Sequence, residues 1–181
     1  MQKIVSVDNE VIFIFEALRK SYPERAEEVK VILRSAGMTE KEVDASLKMK
    51  VGRPDAAPPS EYPMLDANFR PATPMLRARY SFASSIVDVA WRFPSMKELA
   101  KLLASKKIKA VAASQRESWD GSAPDAFDES SISLFAYTSL DDGDVAWLVW
   151  NKGDEPEVWT YQGQRENKYK NIKEFISYIM S

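Results

Sequence analysis

The stretch ISLFAYTSLDDGDVAWLVW, residues 132–150, is the most informative part of this chain. Residues 132–140 divide their side chains between two faces by alternation, which predicts a β-strand. Asp142-Gly143 predicts a type I′ hairpin turn, because that turn needs positive φ at both central residues. Residues 145–150 are apolar on both faces, as is typical of a strand covered on both sides. The stretch therefore predicts two antiparallel neighbours, the second at the centre of a sheet.

The segment after this hairpin extends the same sheet. A turn over residues 151–156 leads to a third predicted strand at residues 158–161. Asn171 and Glu174 then have the spacing of a helix N-terminal cap. One face of the helix that follows is apolar at helical spacing and consists of Ile172, Phe175, Ile176, Ile179 and Met180. The predicted order is three strands and a closing helix.

The first fifty residues are predicted to be helical. Residues 11–20 are assigned to a helix, although their first half is rich in β-branched and aromatic residues. Residues 24–36 form the next helix, with Pro23 in or just before its first turn and Gly37 at its C-terminal stop. Thr39 and Glu42 form a capping box, which predicts a further helix to about residue 49.

The middle of the chain is less regular. Six of the ten prolines lie in residues 52–74, which predicts a long loop, and the aromatic residues of this loop predict that it lies against the protein body. Residues 80–93 are predicted to contain at least one strand. Ser95 and Glu98 form a capping box before a helix, after which residues 108–113 are predicted as a short strand and residues 115–131 as a loop.

Together these elements predict an α+β fold, with an antiparallel C-terminal sheet packed with helices and a helical N-terminal segment. The expected divisions are a helical segment at residues 1–51, a Pro-rich loop at 52–75 and an α+β body at 76–181, all within one domain. No stretch approaches the roughly 20 apolar residues of a membrane span. No secretory signal is recognised either, so we expect a cytoplasmic protein.

The chain contains no cysteine and no histidine. The first absence rules out disulfides and thiolate sites, and the second rules out Ser-His-Asp catalysis and His-ligated zinc. An enzyme would have to rely on carboxylates, lysine, or arginine and tyrosine electrostatics. We therefore expect a protein that is not an enzyme and that has no cofactor and no metal site.

Negative charge is concentrated in residues 117–157, which contain eleven acidic residues and one basic residue, Lys152. Residues 1–116 contain twenty basic and fourteen acidic residues. A local negative field of this kind steers a basic partner and repels nucleic acid. The candidate partner-binding residues in this segment are Asp141, Asp142, Asp144, Trp150, Asp154, Glu155 and Glu157.

Most of these candidates also have a simpler structural explanation. Aspartate is favoured around hairpin turns for backbone reasons alone. Trp147, Trp150 and Trp159 are more typical of a core than of a binding surface, although alternation places the first two on opposite faces. Glu155 and Glu157 would act as a glycosidase pair only beside a cleft.

The basic run at Lys106, Lys107 and Lys109 has an equally simple interpretation. It is predicted to be a solvated helix end, where positive charge is favourable to the helix dipole. A nucleic-acid partner is therefore not expected.

Five short motifs in the C-terminal third support a family resemblance. They are LFAYT at 134–138, DDGD at 141–144, WLVW at 147–150, PEV at 156–158 and NIKEF at 171–175. With these motifs, roughly residues 127–181 resemble the SUKH superfamily, which consists mostly of bacterial immunity proteins together with fungal cell-wall regulators. The family's opening Leu-Pro pair and Gly-rich loop have no counterpart in residues 1–60. The resemblance implies an α+β sheet with helices, no catalysis, no cofactor and a surface that covers a cognate toxin.

The expected function is an immunity-type protein that inhibits a bacterial toxin by covering its active or substrate-binding surface. Toxins that act on nucleic acids tend to have basic clefts, which an acidic face can mimic and fill. Two alternatives stay open: an adaptor or chaperone-like scaffold for a secreted effector or regulatory partner, and a carboxylate-dependent hydrolase. The expected partner is a protein toxin with a basic surface, and neither nucleic acid nor a membrane is expected to bind.

Overall fold

The computed structural model describes residues 7–163 and 165–181 and has an α+β fold. The described helices are α1 (Val7–Ser35), α2 (Glu40–Ser46), α3 (Pro74–Phe82), α4 (Met96–Leu103), α5 (Lys106–Ser118), α6 (Ala123–Ala126) and α7 (Ile172–Ile179). The described strands are β1 (Lys50–Val51), β2 (Glu61–Pro63), β3 (Phe69–Pro71), β4 (Ile86–Val87), β5 (Arg92–Phe93), β6 (Ile132–Ser139), β7 (Asp144–Val149), β8 (Glu157–Gln162) and β9 (Arg165–Tyr169). A 3₁₀ helix, Glu129–Ser131, precedes β6.

Seven of these strands form one antiparallel sheet in the order β1-β4-β5-β6-β7-β8-β9, and β2 and β3 form a separate hairpin. Strand β7 pairs with β6 on one side and with β8 on the other. Residues 145–149 are fully buried. These features confirm the predicted antiparallel C-terminal sheet and its central strand.

Helices cover both faces of the sheet. On one face, α5 buries Ile108, Val111 and Ala112, and its Gln115 side chain accepts a hydrogen bond from Trp147 Nε1 on β7. On the other face, α7 contacts β8 and β9, and α1 packs against both α3 and α7. The helical N-terminal segment thus shares its core with the sheet.

Phe175 is the central side chain of the α7 face. Its ring lies 5.1 to 6.5 Å, between centroids, from the rings of Trp91, Tyr169, Phe135 and Phe93. Those four rings come from β5, β6, β9 and the turn before β5, so one side chain joins α7 to most of the sheet. Asn171 caps the helix by accepting a hydrogen bond from Glu174 N, as the sequence predicted.

Helix α1 runs without a break through Pro23, so the predicted helical residues 11–20 are confirmed and the predicted boundary at Pro23 is wrong. Proline has no N–H to donate and crowds the carbonyl one turn before it. The Arg25 guanidinium donates to Leu18 O at 3.1 Å and forms a two-point ion pair, at 2.6 and 2.7 Å, with the buried carboxylate of Asp88. These contacts fix the turn around Pro23 against the β4–β5 hairpin.

Residues 108–113 belong to α5, so the predicted strand there is wrong. Ser105 accepts a hydrogen bond from Ile108 N and begins the helix. The buried residues Ile108, Val111, Ala112 and Gln115 recur at helical and not at strand spacing. The predicted loop over residues 115–131 is also wrong in part. These residues form the end of α5, the short helix α6 and the 3₁₀ helix, with loops between them.

Two details of the C-terminal sheet also differ from the sequence prediction. The turn between β6 and β7 spans residues 140–143, and only Gly143 among them has positive φ, so the predicted type I′ geometry is wrong. Strand β9 was not predicted, because only Tyr169 among its five residues is buried. Its charged side chains are typical of an edge strand that is protected from further pairing.

The Pro-rich segment lies against the protein body, as predicted. Tyr62 is buried and its hydroxyl donates to Leu134 O on β6 at 3.0 Å. Phe69, by contrast, is 61% exposed. Ala67, in the turn between β2 and β3, has a backbone φ of 69°, a left-handed conformation that residues other than glycine rarely adopt.

Arg79 on α3 is a fully buried cation that is held by main-chain carbonyls. Its guanidinium donates to the carbonyls of Ala83, Ser84, Phe93 and Pro94. Its carbon centre lies 4.2 Å from the centroid of the Tyr80 ring. Burial lowers the pKa of Arg79 from its usual value. The side chain ties α3 to the loop after it and to the end of β5.

We predict that Phe175→Ala lowers the free energy of unfolding by about 3 to 5 kcal/mol, because the truncation leaves a cavity among four aromatic rings. Chemical denaturation measures the loss. The matched control is Tyr178→Ala on the same helix, where the ring is 52% exposed and a much smaller loss is expected. Equal losses for the two variants would contradict the packing of α7 on the sheet.

Candidate functional site

The candidate site is a cleft of about 440 Å³ between α5 and the turn that joins β6 to β7. One wall is the α5 face with Lys107, Ala110, Ser114 and Ser118, which are separated by about one turn each. The opposite wall is the turn at residues 140–143 together with Asp144, the first residue of β7. Three of the residues that line the cleft are acidic and only Lys107 is basic, so the cleft has a negative electrostatic character.

Two of the three aspartates beside the cleft are held by neighbouring groups. Asp142 accepts a hydrogen bond from Ser139 Oγ at 2.6 Å. Asp144 accepts from Thr138 Oγ1 at 3.3 Å and from Gly163 N at 3.1 Å. These bonds set the positions of both carboxylates before any partner arrives.

Asp141 has a different contact. Its Oδ1 lies 2.5 Å from Lys107 Nζ on α5, and the Asp141 side chain is 85% exposed. The ion pair spans the mouth of the cleft and links the turn to the first turn of α5. The predicted dipole role of this basic run is wrong, because Lys106 and Lys107 lie at the N-terminus of α5, where positive charge is unfavourable.

The buried side chain of Gln115 connects the two walls of the cleft, α5 and the β6–β7 turn. Its Oε1 accepts from Trp147 Nε1 at 2.7 Å and its Nε2 donates to Gly143 O at 2.9 Å. A single buried amide therefore sets the distance between α5, the central strand and the acidic turn. The sequence prediction missed it, because residue 115 was assigned to a loop; the signal was the i, i+3, i+4, i+7 spacing from Ile108.

Two aromatic rings close one end of the cleft. Trp119 and Tyr161 meet edge to face with centroids 5.2 Å apart. The Tyr161 hydroxyl donates to Glu166 at 2.7 Å and accepts from Ala123 N at 2.6 Å. Burial, and then the hydrogen bond to Glu166, raise the pKa of Tyr161 far above its usual value, so the hydroxyl stays protonated.

The structure divides the seven candidate partner-binding residues between the two ends of β7. Asp141, Asp142 and Asp144 lie at its start, beside the cleft. The other four lie at or beyond its end. Trp150 lies six residues after Asp144, and at a strand rise of about 3.3 Å per residue this is a distance of about 20 Å. The candidate residues therefore form two groups at opposite ends of one strand. The remaining members of this second group are Asp154, Glu155 and Glu157.

Glu155 serves as a helix cap. Its carboxylate accepts from the Thr73 hydroxyl and, at 2.9 Å, from Met75 N in the first turn of α3. Burial raises the pKa of Glu155, and the two hydrogen bonds oppose that rise. An anionic group at this position stabilises the helix N-terminus. The residue thus has a role within the fold.

Glu157 and Trp150 also have partners within the chain. Glu157 accepts a hydrogen bond from Trp159 Nε1 at 2.9 Å. The half-buried Trp150 packs against Tyr62, with ring centroids 6.1 Å apart, and the Arg70 guanidinium lies over its ring. Trp147 and Trp159 are buried, as the core interpretation predicted. Asp154 is exposed at the β7–β8 turn.

Comparison with protein-family models, with curated protein sequences and with solved structures finds no match to this chain. Within residues 7–163 and 165–181, no helix has both the length and the apolar character that a membrane span requires. In the same part of the chain, no three acidic side chains are arranged to hold a metal ion.

We predict that Gln115→Leu lowers the free energy of unfolding by about 1 to 3 kcal/mol, because it leaves the Trp147 N–H without its acceptor in the core. Amide hydrogen exchange at Gly143 and Asp144 should accelerate as the turn loses its anchor. The control is Ala113→Leu on the exposed side of α5, for which both measurements should stay close to wild type. Unchanged exchange in Gln115→Leu would show that the amide does not position the turn.

Proposed function

We propose that this protein is an immunity-type inhibitor that acts in the cytoplasm and uses the acidic cleft to cover the basic active or substrate-binding surface of a cognate bacterial toxin. The observation that carries the proposal is the fixed acidic rim. Asp142 and Asp144 are held by hydrogen bonds within the fold, and Asp141 extends into solvent beside them.

A fixed acidic rim has two physical advantages for an inhibitor. Its field accelerates encounters with a positively charged surface. Its carboxylates also lose little conformational freedom on binding, because Ser139, Thr138 and Gly163 already hold two of them. Fast association matters for a protein that must intercept a toxin before the toxin reaches its own substrate.

The SUKH resemblance of residues 127–181 supports the same proposal. The motif DDGD lies on the rim of the cleft, whereas PEV lies at the other end of β7. The resemblance implies inhibition by occlusion, and the rim of the cleft borders a concave surface. We therefore assign the toxin contact to the α5 end of the sheet.

The experiment that tests the proposed function titrates the purified protein into the product of a neighbouring toxin gene. We predict stoichiometric inhibition that saturates at a fixed ratio, with a stable complex on a sizing column. A scaffold would form the complex and leave the toxin active. A hydrolase that disarmed the toxin would protect at a small fraction of an equivalent, and that result would overturn occlusion.

A charge reversal at each end of β7 locates the interface. We predict that Asp141→Lys slows association with the toxin about five- to tenfold at low ionic strength and weakens protection, because the cleft loses a negative charge on a side chain that is 85% exposed. The matched control, Asp154→Lys, makes the same charge change at the far turn and should retain wild-type kinetics. Slowing by Asp154→Lys alone would move the interface to the other end of the strand.

A further inference from the structure

The cleft already contains a cation supplied by the protein itself. Lys107 places its ammonium group 2.5 Å from Asp141 at the mouth of the cleft. Both side chains are substantially exposed, at 47% for Lys107 and 85% for Asp141. Exposed ion pairs of this kind contribute little to stability, so this pair is easily exchanged for another.

Lys107 is also poorly placed for a permanent structural role. It lies in the first turn of α5, a turn that contains no acidic residue. Positive charge at a helix N-terminus opposes the helix dipole, so the helix gains nothing from holding this ammonium group there. Moving Lys107 outward into solvent would leave the helix no less stable.

The space behind the ion pair is larger than the Lys107 side chain needs. The cleft has a volume of about 440 Å³ and continues along α5 past Ala110, Ser114 and Ser118, whose small side chains keep it open. It ends at the half-buried Trp119, whose ring packs on Tyr161. A long, flat, cationic side chain fits such a space, because its stem and its planar head both find contacts.

We propose that the cleft receives an arginine side chain of the partner protein, which displaces Lys107 from Asp141. This inference rests on the proposed function and specifies how the acidic rim recognises a basic surface. Arginine fits better than lysine because its guanidinium donates to more than one carboxylate at a time, and Asp142 and Asp144 line the same cleft as Asp141. Lys107 then acts as an internal competitor that occupies the site until the partner arrives.

The test is a titration of the full protein with a capped Gly-Arg-Gly peptide, followed by the NMR signal of the Trp119 indole N–H. We expect binding that weakens as ionic strength rises. Lys107→Met should bind the peptide about two- to fivefold more tightly than wild type, since it removes the competitor. Lys106→Met is the matched control, with the same charge change on an exposed neighbouring lysine that does not line the cleft.

Two further arms define the chemistry of the ligand. Asp141→Asn should weaken binding of the arginine peptide. A peptide with citrulline, the uncharged analogue of arginine, should cause no shift of the Trp119 signal. Equal affinity for a Gly-Lys-Gly peptide would overturn the choice of arginine.

The outcomes separate this inference from the proposed function. Equal affinities for Lys107→Met and Lys106→Met would overturn the displacement of Lys107, whereas the toxin titration and the comparison of Asp141→Lys with Asp154→Lys would still stand. Conversely, tighter peptide binding by Lys107→Met, together with no protection against any neighbouring toxin, would support the arginine site and overturn the inhibitor function.

Discussion

Strand β7 imposes the arrangement of the whole molecule, because all of its residues from 145 to 149 are excluded from solvent. Its backbone needs a hydrogen-bonding strand on each side, which β6 and β8 supply. Its side chains need apolar cover on both faces, which no single helix can provide. The consequence is a sheet between two helical layers, with α5 on one side and the group of α1, α3 and α7 on the other. Both layers are required for the central strand to stay buried.

A small number of buried polar groups then fix where each helix lies on the sheet. Gln115 joins α5 to β7, Arg79 joins α3 to the end of β5, and Asp88 joins the β4–β5 hairpin to α1 through Arg25. Apolar packing tolerates small shifts, whereas a buried donor or acceptor that loses its partner is costly. The acidic cleft inherits its geometry from this arrangement, because Gln115 contacts both the core tryptophan and the turn that forms the rim.

The sequence predicted the C-terminal sheet and the capped helices well, because their signals are local. Residues 145–150 are apolar throughout, and the boxes Thr39–Glu42 and Ser95–Glu98 form as predicted. The failures lie where distant contacts decide. Arg25 and Asp88, 63 residues apart, support the helix through Pro23. Residues 108–113 resemble a strand until Gln115 is included in the helical pattern. Strand β9 is polar because it is an edge. For the candidate site, the pattern of charges made the aspartates candidates, but only the fold shows that they lie at the opposite end of a strand from Asp154 and Glu157.

The order of strands in the sheet also bears on how the chain is made. From β6 to β9, strands that are neighbours in the sequence are neighbours in the sheet and their connections are short, so this region can assemble by successive short loop closures, which are fast. Helix α1 is different, because it packs in part against α7, which follows all of the strands. During synthesis, α1 emerges from the ribosome long before α7 exists, although α3, its larger neighbour, follows much sooner. Until α7 is complete, the part of α1 that α7 covers stays exposed on the nascent chain, so this surface is the last of the helical layer to be buried.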